Sequence, residues 1–467
     1  MPAWQLFRDS FHPLHILWQN RSGFYCVGLD AFCPIAMVTS LDCGREYPWI
    51  EQRTGIRMLG LENLGRKRAK PSEQALEGIV PALKPSIVEA VRRHPAGSWA
   101  FVCPLPCRTL HSLALELGCR SACHPADLCD WLNDKRNFFG GLDTLGLPRL
   151  PGQWMSLSNL RYGELCASIG ARLVAQTATG SSGSGTAYIR SEQDLLEAGR
   201  VVGGDPVWVA PEVRGPSINL NAIVLDRSVV VGAPNIQLVG LEMLGSKPGM
   251  YCGNDYTAAA TLDSAIWAAV HEQTRRIGGW LSTVGYRGLF GLDFVIDPAS
   301  ARPYAVDLNP RWQGSTAVGA QAEARSGRLP LAAAEIAWKL GVLGEDEIVR
   351  RAGQFFAPIE ASQMSLRLDA PGWSTVTGEV KPGVYSPAPR VEFRRAGIGL
   401  DDLAEPAETL VTGAVPSPGC RAGPGSHLLR VYGLQPVIDV ASGQPLPWAR
   451  QFASTMYAAL RLEPAED

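Results

Sequence analysis

Two short runs near the middle of the chain, GLFGLDFVID (288–297) and PYAVDLNPR (303–311), constrain its fold more than any other feature. Each alternates apolar residues within a β-prone composition, and the turn-prone segment Pro298 to Arg302 joins them, so the spacing predicts an antiparallel hairpin. Side chains two apart share a face of a strand, which puts Asp307 and Asn309 together; pairing brings Asp293 to the same end of the sheet. Three oxygen donors of this kind suit Mg²⁺, which takes a few carboxylates and leaves positions for phosphates and water. Arg311, two residues further along, offers a planar fork for a phosphate or carboxylate. Singly, each residue also has a structural reading: Asp293 capping a strand, Asp307 paired with Arg311, Asn309-Pro310 as a turn. What decides between these readings is what else the chain brings to that end of the sheet.

The 467 residues predict about three packed units, at roughly 150 residues per domain, and a hydrophobic content of 46% supports real cores. A formal net charge of -2 argues against a globally basic nucleic-acid footprint and points to small-molecule chemistry. The first residues, MPAWQLFRDSFHPLHILW, lack the basic start, unbroken apolar stretch and cleavage site of a secretory signal, and no run of about 18 apolar residues occurs. The expectation is a cytoplasmic protein without a membrane partner. Eleven cysteines scattered over a long chain read as reduced thiols. Cys103, Cys107, Cys119 and Cys123, with His111 and His124, form a candidate zinc cluster, weighed against small buried apolar residues beside Pro104 and Pro106.

Composition and periodicity divide the chain at about residues 125 and 345. Residues 1–125 read as an α/β unit, with the strand-like SWAFVCPL (98–105) and a helix over 109–118 that Gly118 stops. A helical pattern then surrounds Lys135, followed by a strand at 172–176, a loop of small residues, a strand at 186–190 and a helix opened by Ser191. Several alternating strands, a long helix over TLDSAIWAAVHEQTRRIGGWLSTVG, the central hairpin and a helix at 329–340 complete this unit. Residues 346–467 are rich in Pro, Gly and short β-prone runs, a β-rich accessory unit. The polar, glycine-bearing segment Pro234 to Asp255 reads equally as an acceptor-pocket lining and as a surface loop.

The loop from Gly180 to Thr186 holds three glycines and three serines in seven residues, so its backbone amides can approach phosphate oxygens closely. It has neither the Walker lysine nor the dinucleotide-fingerprint spacing, but flexible linkers seldom sit between two short strands. With these parts in order, the chain resembles the ATP-grasp superfamily over about residues 120 to 345. NDKRNFF supplies Lys135, GSSGSGT the loop, WVAPEVRG the hinge with Glu212, and LDF with VDLNPR the metal strands. The resemblance implies an α/β (α+β) ATP-grasp fold over residues 126–345, with subdomains at about 126–210 and 211–345. A pre-ATP-grasp domain (1–125) would precede it and a β-rich subdomain (346–467) follow it.

It further implies that Lys135, Gln176, Ser181, Ser182, Gly183, Ser184, Gly185, Thr186, Glu212 and Val213 bind ATP. Asp293, Asp307 and Asn309 would hold Mg²⁺, two ions by the family pattern with Mn²⁺ as an alternative, and Arg311 would be catalytic. Three departures stand out. Gln176 replaces the family's second lysine, Asp307 its usual glutamate, and Pro216 and Ser217 follow the hinge Gly215 where an acidic residue is common. The overall layout resembles L-amino-acid ligases and natural-product peptide ligases, while NPRWQGST resembles the metal strand of biotin carboxylases. The implied activity is ATP-driven activation of a carboxylate as an acyl phosphate and its capture by an amine, both partners being small molecules, with a homodimer as the candidate assembly. The competing readings are a biotin-carboxylase-like carboxylation and a non-catalytic nucleotide-binding protein, the latter motivated by Gln176.

Overall fold

In the computed structural model, which describes residues 4–62, 67–68, 73–158, 160–180, 183, 185–202, 206–387 and 389–465, the two central runs form the strands Gly288–Ile296 and Pro303–Asn309. They pair antiparallel with Asp293 opposite Asp307. An eleven-stranded sheet grows from them. Its order from this edge is Pro303–Asn309, Gly288–Ile296, Ser217–Val224, Asn235–Val239, Tyr251–Asp255, Ser362–Arg367, His427–Gly433, Thr409–Thr412, Gly383–Tyr385 and Phe393–Arg395, with Val229–Val231 beside Ser217–Val224. The pairing of Tyr251–Asp255 with Ser362–Arg367 carries this sheet across residue 345 without a break.

The strand pattern explains its two faces. Leu220, Phe290, Leu292 and Phe294 point into one apolar cluster together with Val270, Ile277 and Leu281 of the helix Ser264–Thr283. Burying a Phe of this kind contributes roughly 1.5–3 kcal/mol. The other face carries Asn219, Asp293 and Asp307, one from each of three adjacent strands in register.

The N-terminal unit is a parallel sheet in the order Arg57–Gly60, Ile35–Ser40, His15–Asn20, Trp99–Val102, Arg120–Ser121. A four-stranded antiparallel sheet, Gln153–Met155, Val207–Pro211, Leu173–Gln176 and Thr186–Ile189, carries the glycine loop on its last hairpin. Ser191 caps the following helix, Glu192–Val201, by accepting from the Asp194 amide at 3.1 Å. Among the described residues no helix is long and apolar enough to cross a membrane.

Three sequence expectations change. The helical pattern around Lys135 is two helices, Ala126–Asn133 and Lys135–Thr144, because Asp134 adopts an extended conformation and caps the second by accepting from the Arg136 amide at 2.8 Å. The helix Gly314–Arg325 escaped the periodicity because residues Ser315 to Glu323 are all buried, leaving no polar stripe to mark it. The C-terminal segment also contains a helix, Pro447–Leu460, whose Phe452, Ala453, Met456 and Leu460 pack under the long sheet.

Candidate active site

The polar face of the long sheet, the four-stranded sheet and the carboxyl ends of the parallel strands enclose a cavity of about 310 Å³. Asn20, ending one parallel strand, and Arg21 after it reach into the cavity, and Pro104 and Leu105 follow another strand into it. Open α/β sheets place ligand sites at this end because loops and free backbone groups converge there.

Lys135, Asp293, Asp307, Asn309 and Arg311 all line this cavity. Lys135 opens its helix, anchored by its own amide on the Ala178 carbonyl at 2.8 Å, and its ammonium pairs with Asp307. The expected structural alternative, Asp307 paired with Arg311, is therefore not the arrangement found. Asp293 accepts from the amides of Asn219 at 2.5 Å and Gln313 at 3.2 Å. Burial first, and then the like charge of Asp307, push its carboxyl up to about 6 against the pull of Asn219, Gln237 and Lys135. Two facing carboxylates of this kind call for a cation, and the oxygen donor set fits Mg²⁺. Asn309 donates to Asp307 Oδ2 at 3.4 Å. Arg311 touches the Trp312 carbonyl at 3.2 Å, while its buried Nε has no partner.

Gly180, Gly183, Gly185 and Thr186 line the opposite wall; Ser181, Ser182 and Ser184 lie outside the described residues. A Cβ at Gly183 would sit 2.2 Å from the Gly249 carbonyl oxygen and one at Gly185 2.1 Å from Thr177 Oγ1, both at φ +81°. Glycine is required there on both counts. Gln176 donates to Thr186 Oγ1 at 3.4 Å across the hairpin. Glu212 lines the cavity but spends both oxygens on Arg172 (3.0 Å) and Arg190 (2.7 Å). Burial raises its carboxyl, yet the two guanidinium groups outweigh this and hold it below the usual range. Val213 joins Leu150, Val174, Tyr188, Val239 and Val306 in an apolar slot between the two sheets.

Residues 132–315 match the family profile of the ATP-grasp domain. The chain carries an ATP-grasp domain. Its whole length is similar in fold to three solved structures. The L-amino acid ligase of Bacillus licheniformis has a TM-score of 0.54 at 14% identity, over 97% of this chain and 98% of that one. A carboxyaminoimidazole ribonucleotide synthase of Aspergillus clavatus complexed with ATP has 0.55 at 11%, over 97% and 100%. The biotin carboxylase domain of Hydrogenobacter thermophilus 2-oxoglutarate carboxylase, with MgADP, ADP and bicarbonate, has 0.53 at 13%, over 97% and 90%. No curated protein sequence gives a significant match.

Several cavity residues were not singled out from sequence. A row of amides crosses the cavity floor: Asn254 donates to Asn235 at 2.7 Å, Asn235 to Asn219 at 3.3 Å, and Asn219 to Asp293. Tyr251 donates to Asn254 and accepts from Gln363 at 3.3 Å. The alternation of Ser217, Asn219 and Asn221 within SINLNAIV was the available signal. The segment 234–255, expected as either a pocket lining or a surface loop, contains two paired strands, Asn235–Val239 and Tyr251–Asp255, and its Gln237, Val239, Gly249, Tyr251 and Asn254 line the cavity, in line with the first of those readings.

The candidate zinc cluster does not assemble. Among the described residues no three of His, Cys, Asp or Glu are placed to hold a metal, and all eleven cysteines are free. Cys103, Cys107 and Cys119 pack in the apolar core of the N-terminal unit, His111 bonds Ser121 at 2.9 Å, and His124 bonds Tyr286 at 3.1 Å.

Proposed function

We propose that this protein is an ATP-dependent ligase that activates a carboxylate as an acyl phosphate and joins it to an amine, releasing ADP and phosphate. The observation that carries the reading is the convergence of Lys135, Asp293, Asp307, Asn309 and Arg311 on one cavity, with the glycine loop opposite. The apolar slot between the sheets takes the adenine base, and the loop amides and Lys135 take the phosphates. Asp293, Asp307 and Asn309 would hold Mg²⁺, which neutralises phosphate charge when bound. Arg311, which has no carboxylate partner among the described residues, balances negative charge developing on the transferred group and on the oxyanion of the tetrahedral intermediate that follows. The substrate carboxylate attacks the γ-phosphorus, the bond to ADP breaks, and the amine then displaces phosphate while losing a proton. Both substrates are small molecules, and the cytoplasm is the proposed compartment.

A second reading, activation of bicarbonate, draws on the likeness to the biotin carboxylase domain bound to bicarbonate. The two separate in one assay: ADP release measured with pairs of amino acids and with bicarbonate alone, products being identified by mass spectrometry. The ligase reading expects an amine-dependent condensation product. Substituting Asp307→Ala or Arg311→Ala is expected to lower turnover by about 10²–10³-fold. Full activity in both variants would overturn the site assignment.

A further inference from the structure

The end of the cavity away from Asp293 and Asp307 carries two buried arginines that form no ion pair among the described residues. Arg367, ending the strand Ser362–Arg367, is 2% exposed, and Arg430, within His427–Gly433, is 5% exposed; both line the cavity. They stand on neighbouring strands, and each guanidinium feels the other. Arg367 donates to the carbonyls of Gly425 at 3.2 Å and Tyr251 at 3.1 Å. Arg430 donates to the Gly413 carbonyl at 2.8 Å and lies 4.9 Å from the centre of the Tyr25 ring. The Nε of each is buried with no hydrogen-bond partner among the described residues. The cavity's carboxylates are committed elsewhere: Glu212 to Arg172 and Arg190, Asp293 to Asn219 and Gln313, Asp307 to Lys135. Asp42, with Tyr25, Tyr432 and Tyr251, acts on Arg430 electrostatically and helps hold its guanidinium charged against burial; Asp42 also accepts from Tyr47 and the Gly23 amide.

A guanidinium cannot shed its proton, so burial leaves two positive charges on one wall with no neutral escape. Burying unpaired charge is strongly unfavourable unless a partner of opposite sign arrives. Arginines that merely brace carbonyls have no need to line the same cavity together with donors to spare. Their forked donors match the oxygens of a carboxylate or phosphate.

We infer that this wall is an anion subsite, and that one of the joined molecules carries, besides the carboxylate activated near Arg311, a second oxyanion group seated on Arg367 and Arg430. Its place in the reaction rests on the ligase reading; the existence of the subsite does not. The substrate class is then an acceptor with a free carboxylate, a dicarboxylic donor, or a phosphorylated partner.

Thermal unfolding of the full chain tests this, with succinate and inorganic phosphate as probes against chloride at matched ionic strength. At least one probe is expected to raise Tm by about 1–3 °C over chloride. Which of the two acts distinguishes a carboxylate from a phosphate subsite. The shift should vanish in Arg367→Gln and in Arg430→Gln, persist in Lys135→Met, and need about tenfold more anion in Arg430→Lys, which keeps the charge and loses the fork. No shift in the wild-type chain with either probe overturns the inference, whatever the variants do. So does a shift that survives both glutamine substitutions. Mg-ATP binding, measured separately, keeps the two readings apart: its absence with an intact anion shift defeats the ligase reading alone, and the converse defeats only the subsite.

Discussion

Gln176 shows how much one side chain changes at the nucleotide end. It faces the cavity and reaches Thr186, so a lysine at this position would add a cation beside the glycine loop. A charge-assisted contact to phosphate exceeds a neutral amide contact, and Gln176→Lys is expected to lower the Kd for Mg-ATP about tenfold, measured by calorimetry. The residues proposed for metal and phosphate were legible because their pattern is local: two-residue spacing puts Asp307 and Asn309 on one face wherever the strand goes. Arg367 and Arg430 were not, since their meaning comes from facing one shared cavity from two strands some sixty residues apart in sequence. No local pattern encodes that convergence. His124 and His111 illustrate the opposite failure, where a plausible ligand spacing dissolves because the side chains turn to Tyr286 and Ser121.

At the scale of elements, the hairpin that carries Asp293 and Asp307 is braced from behind by the helix Leu331–Lys339. Glu335, 2% exposed, accepts from the Trp312 indole at 2.5 Å and the Leu289 amide at 2.7 Å and pairs with Lys339 at 2.9 Å. Glu335→Ala strands all three donors, and a loss of about 3–5 kcal/mol is expected from urea unfolding. The helix Gly314–Arg325, hidden from periodicity, carries a second buried acid. Burial pushes the Glu323 carboxyl up to about 8 against the Leu331 amide and Arg328. The folded chain therefore holds this proton where the unfolded chain has released it. The resulting stabilisation is full below pH 4.5 and is lost as pH rises through about 8. Glu323→Gln should flatten that decline, raising Tm at pH 8.5 by roughly a few degrees relative to wild type while changing little at pH 5.

Across the whole molecule, the long sheet makes the central and C-terminal segments one mechanical body. The strand Ser362–Arg367 covers the edge of Tyr251–Asp255, while Glu46 of the N-terminal unit accepts from the amides of Ala414, at 2.5 Å, and Val415, at 3.2 Å. Cutting the chain at residue 345 would expose a strand edge inside the core, so a 1–345 fragment is expected to aggregate, and scanning calorimetry of the full chain to give a single transition. The amide row on the cavity floor runs across this same body, and it has a direction. Gln363 donates to Tyr251, Tyr251 to Asn254, Asn254 to Asn235, Asn235 to Asn219 and Asn219 to Asp293, each link passing its dipole the same way. Reversing one link breaks its neighbours, so the line is polarised as a unit toward the carboxylate at its end. Charge settling on Asp293 thus reaches the tyrosine whose carbonyl holds Arg367, and the two ends of the cavity share one electrical floor.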